Sequence, residues 1–195
     1  MLFASCDIGL KGFFTVLNKD GELVWYRPMP LEKNKLDWHG LKSLIDDLDD
    51  FATQQFETVV IGIEKPLSLP SDTGKIKKLF ESYVYMPRFC MADMISAELK
   101  KTDGRVGTLT TGTNYGILLG LVLAKGWKYQ VIPPRTWQKK LHENTDFKYA
   151  AKIRSAQAAH ALWPGQDFKV GRMKKEHDGF IDAILIAEYC RRSLR

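Results

Sequence analysis

The segment Leu2-Phe3-Ala4-Ser5-Cys6-Asp7-Ile8 decides the fold, because it is apolar along most of its length and two further strand patterns follow it, at residues 12–17 and 22–27. A run that is apolar on both faces is typical of a central strand covered by helices on each side. The second and third patterns are joined by Asn18-Lys19-Asp20-Gly21, a strong hairpin signal. This first part of the chain therefore predicts three antiparallel strands.

The rest of the chain alternates helical and extended patterns. The spacing of apolar residues predicts helices at 36–51, 114–126, 135–141, 149–162 and 177–192, and strands at 58–63 and 129–132. Residues 65–106, punctuated by Pro66, Pro70 and Pro87, predict a partly ordered basic-aromatic insertion with a short helix near Ile76–Ser82. This order of elements predicts a single α/β domain over residues 1–195, with a mixed five-stranded sheet and helices on both faces.

Length and composition narrow the class of protein. A chain of 195 residues with 45% hydrophobic and 27% charged residues is ordinary for one globular domain and excludes intrinsic disorder. The three cysteines lie far apart without a Cys-x-x-Cys pair, so we expect neither a disulfide framework nor a zinc site. The longest apolar run, residues 116–124, is about half of a membrane span, and no cleavable leader is visible. We therefore expect an intracellular soluble protein without membrane partners, in the cytoplasm of a bacterium or infected host cell, or in an organelle matrix.

Charge is distributed unevenly along the chain. The formal net charge is only +6, which by itself names no partner. Residues 1–64 carry a net charge of −5, whereas residues 125–175 carry +9. Such a strongly basic stretch is typical of a face that binds a polyanion.

Two carboxylates stand at the ends of buried strand patterns. Asp7 follows the apolar residues of the first strand, where an unpaired carboxylate costs several kcal/mol, so we expect it to bind a partner or a metal ion, or else to cap the turn that follows. Glu64 ends the strand at 58–63, at the cleft where parallel strands place ligand-binding residues. It could instead be solvated or paired with Lys65.

Two further carboxylates stand in the last predicted helix, within Glu176-His177-Asp178-Gly179-Phe180-Ile181-Asp182-Ala183. Asp178 could simply cap this helix, but Asp182 lies one turn inside an otherwise apolar helix. The i, i+4 spacing places both carboxylates on one face, where their mutual repulsion would be relieved by a divalent cation. We therefore favour metal ligation for this pair. His177 could be a metal ligand, a proton shuttle or a helix cap.

Four carboxylates that converge on one cleft suit Mg²⁺ or Mn²⁺, which prefer oxygen ligands. Two such ions about 4 Å apart can activate a water and stabilise the leaving oxygen of a phosphodiester. The sequence has no Gly-rich phosphate loop, Cys/His cluster or Gly-x-Ser-x-Gly elbow that would favour other chemistry.

The order of these motifs resembles the RuvC-type Holliday junction resolvases of the ribonuclease H-like superfamily. The resemblance starts from Asp7, Glu64 and the His177-Asp178-x-x-x-Asp182-Ala183 helix. Thr-Asn-Tyr-Gly-Ile-Leu-Leu-Gly at 113–120 is similar to the family's Gly-bearing helix, and Pro-Pro-Arg-Thr-Trp-Gln-Lys-Lys at 133–140 looks like its Pro-x-x-Trp-x-Lys segment, most of all in viral and organellar members. The similarity runs from Asp7 to Arg192.

The resemblance implies a ribonuclease H-like fold and a homodimer that introduces paired nicks across a four-way DNA junction. It also implies two Mg²⁺ or Mn²⁺ ions per active site, held by Asp7, Glu64, Asp178 and Asp182, with Lys152 near the scissile phosphate. The family's second lysine falls at Gln138 or Lys139. Leu67 and Leu69 stand where bacterial members keep an aromatic wedge, and the last two acids are four rather than three residues apart. These departures indicate a divergent branch, phage-borne in character.

Basic and aromatic side chains complete the expected DNA surface. The basic residues expected to contact phosphate without reading sequence are Lys65, Lys75, Lys77, Lys78, Arg88, Arg135, Lys139, Lys140, Lys148 and Arg154. Any one of these lysines could equally belong to a solvated helix face. Phe80, Tyr83 and Tyr85 are expected to stack on bases opened at a junction, or to hold the insertion together. Trp137 is expected to pack in the core rather than contact DNA.

Three alternatives remain open at this stage. The same fold could serve a ribonuclease H-like nuclease acting on RNA–DNA hybrids, flaps or other branched DNA, or a transposase-type strand-transfer enzyme. It could also serve a DNA-binding relative without catalysis. The presence of all four acids argues against the last, because burying them without a metal ion would destabilise the fold.

Overall fold

The computed structural model describes residues 1–66 and 106–194, and these residues form one mixed five-stranded sheet flanked by helices. The strands are β1 (Leu2–Cys6), β2 (Phe13–Leu17), β3 (Leu23–Pro28), β4 (Leu31–Glu32), β5 (Lys35–Leu36), β6 (Val59–Glu64) and β7 (Lys128–Ile132). The large sheet has the order β3-β2-β1-β6-β7, in which β1 is antiparallel to β2 and parallel to β6. The mixed sheet with β1 at its centre confirms the prediction from sequence.

Five helices cover the two faces of this sheet within the described residues. They are α1 (Trp38–Gln54), α2 (Val106–Ala124), α3 (Pro134–Leu141), α4 (Ala151–Leu162) and α5 (Asp178–Ser193). Alternate residues of β1 enter different cores, since Ala4 packs with α1 and α2 whereas Phe3 packs with α3, α4 and α5. The expected α/β architecture with helices on both faces is therefore confirmed.

Local structure differs from the prediction at several places, three of which have a physical reason. Helix α2 begins at Val106 rather than at residue 114, because the Gly- and Thr-rich start of the helix carries little helical signal. The hairpin of β4 and β5 was missed, since its turn holds Lys33 and Asn34 at φ 49° and 60°, and lysine is unusual there. Helix α4 begins at Ala151 rather than at residue 149, because the preceding residues form a turn in which the Asp146 carboxylate accepts a hydrogen bond from the Lys148 N–H.

No helix in the two described ranges combines the length and apolarity needed to cross a membrane. Helix α2 also fails this condition, although it has no charged residue between its ends.

Helix α5 lies very close to the sheet at its first turn. A Cβ atom at Gly179 would lie 1.9 Å from the carbonyl oxygen of Lys11, so only glycine allows the helix to approach the β1–β2 turn this closely. One turn further along α5, the carbonyl of Ala183 accepts a hydrogen bond from the buried hydroxyl of Ser5 in β1. These contacts fix the beginning of α5 against the carboxyl end of β1.

Candidate active site

Asp7 and Glu64 lie beside each other at the carboxyl ends of two parallel strands. The last paired residues of β1 and β6 are Cys6 and Ile63, so Asp7 follows β1 and Glu64 closes β6 at the same level of the sheet. Neighbouring strands lie about 4.8 Å apart, which places the two carboxylates within electrostatic reach of each other.

Both carboxylates lie on the face of the sheet that α5 covers. Phe3 and Val60 belong to the core beneath α5, and Asp7 and Glu64 follow them by four residues in their strands. Side chains an even number of residues apart lie on the same face of a strand. Asp182 reaches this face from α5, so three different elements supply the three side chains, which we call the carboxylate cluster (Asp7, Glu64 and Asp182).

The carboxylate cluster is one electrostatic unit. The pKa of Glu64 is raised from 4.5 to about 7, mainly by burial and to a lesser extent by the charges of Asp7 and Asp182. Burial likewise raises the pKa of Asp182 from 3.8 to about 6, with added repulsion from Asp7 and Asp178. The pKa of Asp7 is also raised by burial. Such mutually destabilised carboxylates are typical of a functional site.

Another acid in α5 shows what a structural carboxylate looks like in this fold. Glu188 is buried, but its oxygens accept from Arg191 at 2.6 Å and from Arg192 at 2.7 Å. These two guanidinium groups overcome the effect of burial and lower the pKa of Glu188. Burial raises the pKa values in the carboxylate cluster because, unlike Glu188, these acids have no arginine partner among the described residues.

Asp7 also has a local structural role. Its Oδ1 accepts a hydrogen bond of 3.1 Å from the N–H of Gly9, which caps the turn after β1 and lowers the pKa of the carboxyl. The turn-capping interpretation and the ligand interpretation are thus compatible, because this contact uses one of the two carboxylate oxygens.

Glu64 is held by the indole of Trp137. The Nε1–H of Trp137 donates a hydrogen bond of 2.8 Å to Oε1 of Glu64, which lowers the pKa of that carboxyl against the effect of burial. Trp137 is 1% exposed, so the expectation of a packing residue is confirmed, but its link to Glu64 was not foreseen. A signal was present in the sequence, because a buried indole N–H needs an acceptor and α3 follows β7, the strand that pairs with β6.

Asp182 is supported by Ser155 in α4 and by His142 at the end of α3, two residues that carry no distinguishing signal in the sequence. The hydroxyl of Ser155 lowers the pKa of Asp182 by hydrogen bonding, and the same hydroxyl lies 3.2 Å from Nε2 of His142. Ser155 and His142 are both buried, and burial lowers the pKa of the imidazole. The neutral imidazole, the hydroxyl and the carboxylate therefore form a connected polar chain behind the carboxylate cluster.

Asp178 departs from the predicted arrangement. Its side chain is 58% exposed, and its Oδ2 accepts from the Nζ of Lys152 at 2.6 Å. The helix cap is His177 instead, because its imidazole Nδ1 accepts from the N–H of Phe180 at 3.3 Å. Asp178 and Asp182 share one side of α5, but the first turn of the helix leaves Asp178 at the surface.

The donor atoms of the cluster fit a hard divalent cation, although their present positions do not enclose one. Among residues 1–66 and 106–194, no three Asp, Glu, His or Cys side chains lie close enough together to hold a metal ion. The chemistry nevertheless matches, since the cluster offers only carboxylate oxygens and a divalent cation would relieve the repulsion that raises their pKa values.

Basic side chains lie on the elements that follow β6 and β7 in the chain. Those that are exposed are Lys65, Arg135, Lys139, Lys140, Lys148 and Lys152. Arg154 is half-buried, and its guanidinium is bound to Thr145 and to the carbonyl of His142. The expected contact residues Lys75, Lys77, Lys78, Arg88, Phe80, Tyr83 and Tyr85, together with Leu67, Leu69 and the helix near Ile76–Ser82, lie outside the described residues.

The fold is similar to that of RuvC from Thermus thermophilus. One solved structure of that protein shares 12% identity with this chain at a TM-score of 0.54, over 99% of this chain and 97% of the other. A second, in complex with a Holliday junction substrate, shares 11% identity at a TM-score of 0.53, over 96% of this chain and 90% of the other. No family model and no curated protein matches the sequence. The likeness shows a ribonuclease H-like fold over nearly the whole chain.

Proposed function

We propose that this protein is a divalent-metal-dependent DNA endonuclease that resolves four-way junctions by paired nicks. The observation that carries the proposal is the carboxylate cluster, in which three elements of a RuvC-like fold direct half-buried acids to the same edge of the sheet. Sites of this kind, at the carboxyl ends of parallel strands, are where open α/β sheets bind ligands.

Asp7, Glu64, Asp178 and Asp182 would hold two Mg²⁺ or Mn²⁺ ions per active site. The bound ions would supply an activated water and stabilise the charge that develops on the leaving oxygen. The protein itself contributes the orientation of the ligands, since Trp137 fixes Glu64 and the Gly9 N–H fixes Asp7.

Lys152 is the residue that we propose lies near the scissile phosphate. In the structure its ammonium is paired with Asp178, and the hydrogen bond to that carboxylate, followed by its charge, raises the pKa of Lys152. The Lys152 side chain is largely exposed, so the same ammonium can contact a phosphate when Asp178 serves as a ligand.

The remaining basic residues would position the DNA. Lys139, Lys140 and Lys148 are exposed and make no ion pair with residues in the described ranges, which leaves them available for phosphate contacts. We also propose a single nuclease domain over residues 1–195 that acts as a homodimer, because symmetric paired nicks require two active sites.

The test compares substrates under identical conditions. A synthetic four-way junction, a flap and an RNA–DNA hybrid are incubated side by side with the protein, once with Mg²⁺ and once with EDTA. We expect symmetric paired nicks in the junction, only with Mg²⁺. Preferred cleavage of the hybrid would instead indicate a ribonuclease H-like activity, and cleavage that persists in EDTA would refute the metal mechanism.

A pair of variants connects this activity to the cluster. Asp182→Asn should abolish cleavage, because it removes a ligand charge, while junction binding stays nearly intact since the basic residues are unchanged. The matched control is Asp167→Asn, which alters an exposed aspartate outside the site. Unchanged cleavage by Asp182→Asn would remove that residue from the proposed site.

A further inference from the structure

The loop between α3 and α4 presents an aromatic ring to solvent beside the candidate active site. Phe147 is 75% exposed, and Tyr149 in the same loop is 48% exposed. A single exposed apolar side chain is common and by itself indicates no partner, so what distinguishes Phe147 is the way in which its ring is held.

The ring of Phe147 is held in place by Arg154. The guanidinium carbon of Arg154 lies 4.3 Å from the centroid of the Phe147 ring, within the range of a cation–π contact. Arg154 is itself anchored, because its Nε donates to Oγ1 of Thr145 at 2.9 Å and its Nη2 donates to the carbonyl of His142 at 3.2 Å. The position of Phe147 is therefore set by a fixed side chain of α4.

This arrangement is physically connected to the carboxylate cluster. The carbonyl of His142 anchors Arg154, and the imidazole of the same residue lies against Ser155. Ser155 in turn forms a hydrogen bond with Asp182. The ring of Phe147 is therefore connected to the carboxylate of Asp182 through Arg154, His142 and Ser155.

We propose that Phe147 and Arg154 form a stacking platform for a nucleobase that is exposed at the branch of the DNA. This inference rests on the proposed function and assigns a substrate contact that it does not include. An open aromatic ring binds the face of a base, and in an intact duplex both faces of each base are already covered by its neighbours. The platform thus favours branched over linear DNA, and the positive charge of the neighbouring Lys148 can contact a phosphate.

The test measures binding of junctions that carry 2-aminopurine at the branch point, with EDTA present so that no cleavage occurs. Relative to the unchanged protein, Phe147→Ala should weaken junction binding roughly 5- to 100-fold, whereas binding to a linear duplex of equal length should stay within about twofold. The fluorescence of 2-aminopurine should be quenched by the unchanged protein and recover with Phe147→Ala. Phe147→Tyr, which keeps a stacking ring, should restore both readings.

Phe56→Ala is the matched control, because Phe56 is 98% exposed at the end of α1, away from the cluster. If Phe147→Ala binds the junction as tightly as Phe56→Ala does, the platform is refuted while the proposed function stands. An equal loss of junction and duplex binding, or a change in oligomeric state measured by light scattering, would also refute it. If the unchanged protein binds no branched DNA, both proposals fall.

Discussion

The charge of Glu64 should cost the metal-free protein stability as the pH rises. Below pH 4.5 the carboxyl is protonated in the folded and unfolded chains alike, and its burial carries no charge penalty. Between pH 4.5 and about 7 the unfolded chain releases the proton while the folded protein keeps it, so the free energy of unfolding falls with rising pH. At 1.36 kcal/mol per pKa unit, this interval amounts to at most about 3 kcal/mol.

The substitution Glu64→Gln isolates this effect. Glutamine has nearly the same shape, stays neutral at every pH, and keeps a side-chain oxygen that can accept the Trp137 hydrogen bond. The unchanged protein should therefore lose up to about 3 kcal/mol relative to Glu64→Gln between about pH 4 and pH 8. A loss of that size is measurable, since domains of this size are stable by only about 5–15 kcal/mol.

The measurement is urea unfolding followed by circular dichroism at a series of pH values, with EDTA in every sample. Glu143→Gln is the control, because Glu143 is exposed in the α3–α4 loop. Mg²⁺ added in excess over the EDTA should then stabilise the unchanged protein more at pH 8 than at pH 5, and should stabilise Glu64→Gln less. Parallel pH curves for Glu64→Gln and the unchanged protein would contradict the electrostatic account of the cluster.

Two further substitutions test the supports of the site. Trp137→Phe removes the only hydrogen bond donor to Glu64 within the described residues, so the midpoint of the Glu64 carboxyl in a carbon-13 NMR titration with EDTA should rise by about one pKa unit. Trp38→Phe, at an exposed position, should leave this midpoint unchanged. Equal midpoints for the two variants would disprove the role of the indole. Gly179→Ala should lower the free energy of unfolding in urea by about 1–3 kcal/mol or more, because its Cβ would meet a backbone carbonyl at 1.9 Å. The control Gly116→Ala meets no atom within 4 Å and should be neutral or stabilising. Similar results for both variants would show that α5 can move away from the turn without loss of stability.

Patterns along the sequence predicted the parts of the site that depend on single elements. The apolar runs before Asp7 and Glu64 identified buried strands, and their parallel pairing places both acids at one edge. Asp182 was recognisable because a carboxylate one turn inside an apolar helix has no cap to form. Each of these signals is local, and hydrophobic periodicity is the most reliable local signal.

Features that depend on contacts between distant elements could not be predicted in the same way. The bond from Trp137 to Glu64 requires the register of β6 against β7, and the chain from His142 to Asp182 requires the crossing of α4 and α5. The exposure of Asp178 has the same origin, because helical spacing assigns a residue to a side of the helix but not to a depth in the protein.

The contact of Gly179 with the Lys11 carbonyl has a consequence for how the site tolerates change. It joins the start of α5 to the turn that follows Asp7 through main-chain atoms, so this approach does not depend on the size of a side chain between them. Substitutions in the surrounding core can then alter packing while α5 keeps its place against this turn. Main-chain positioning of this kind allows the geometry of a site to be kept when the residues around it are substituted, provided that the glycine remains.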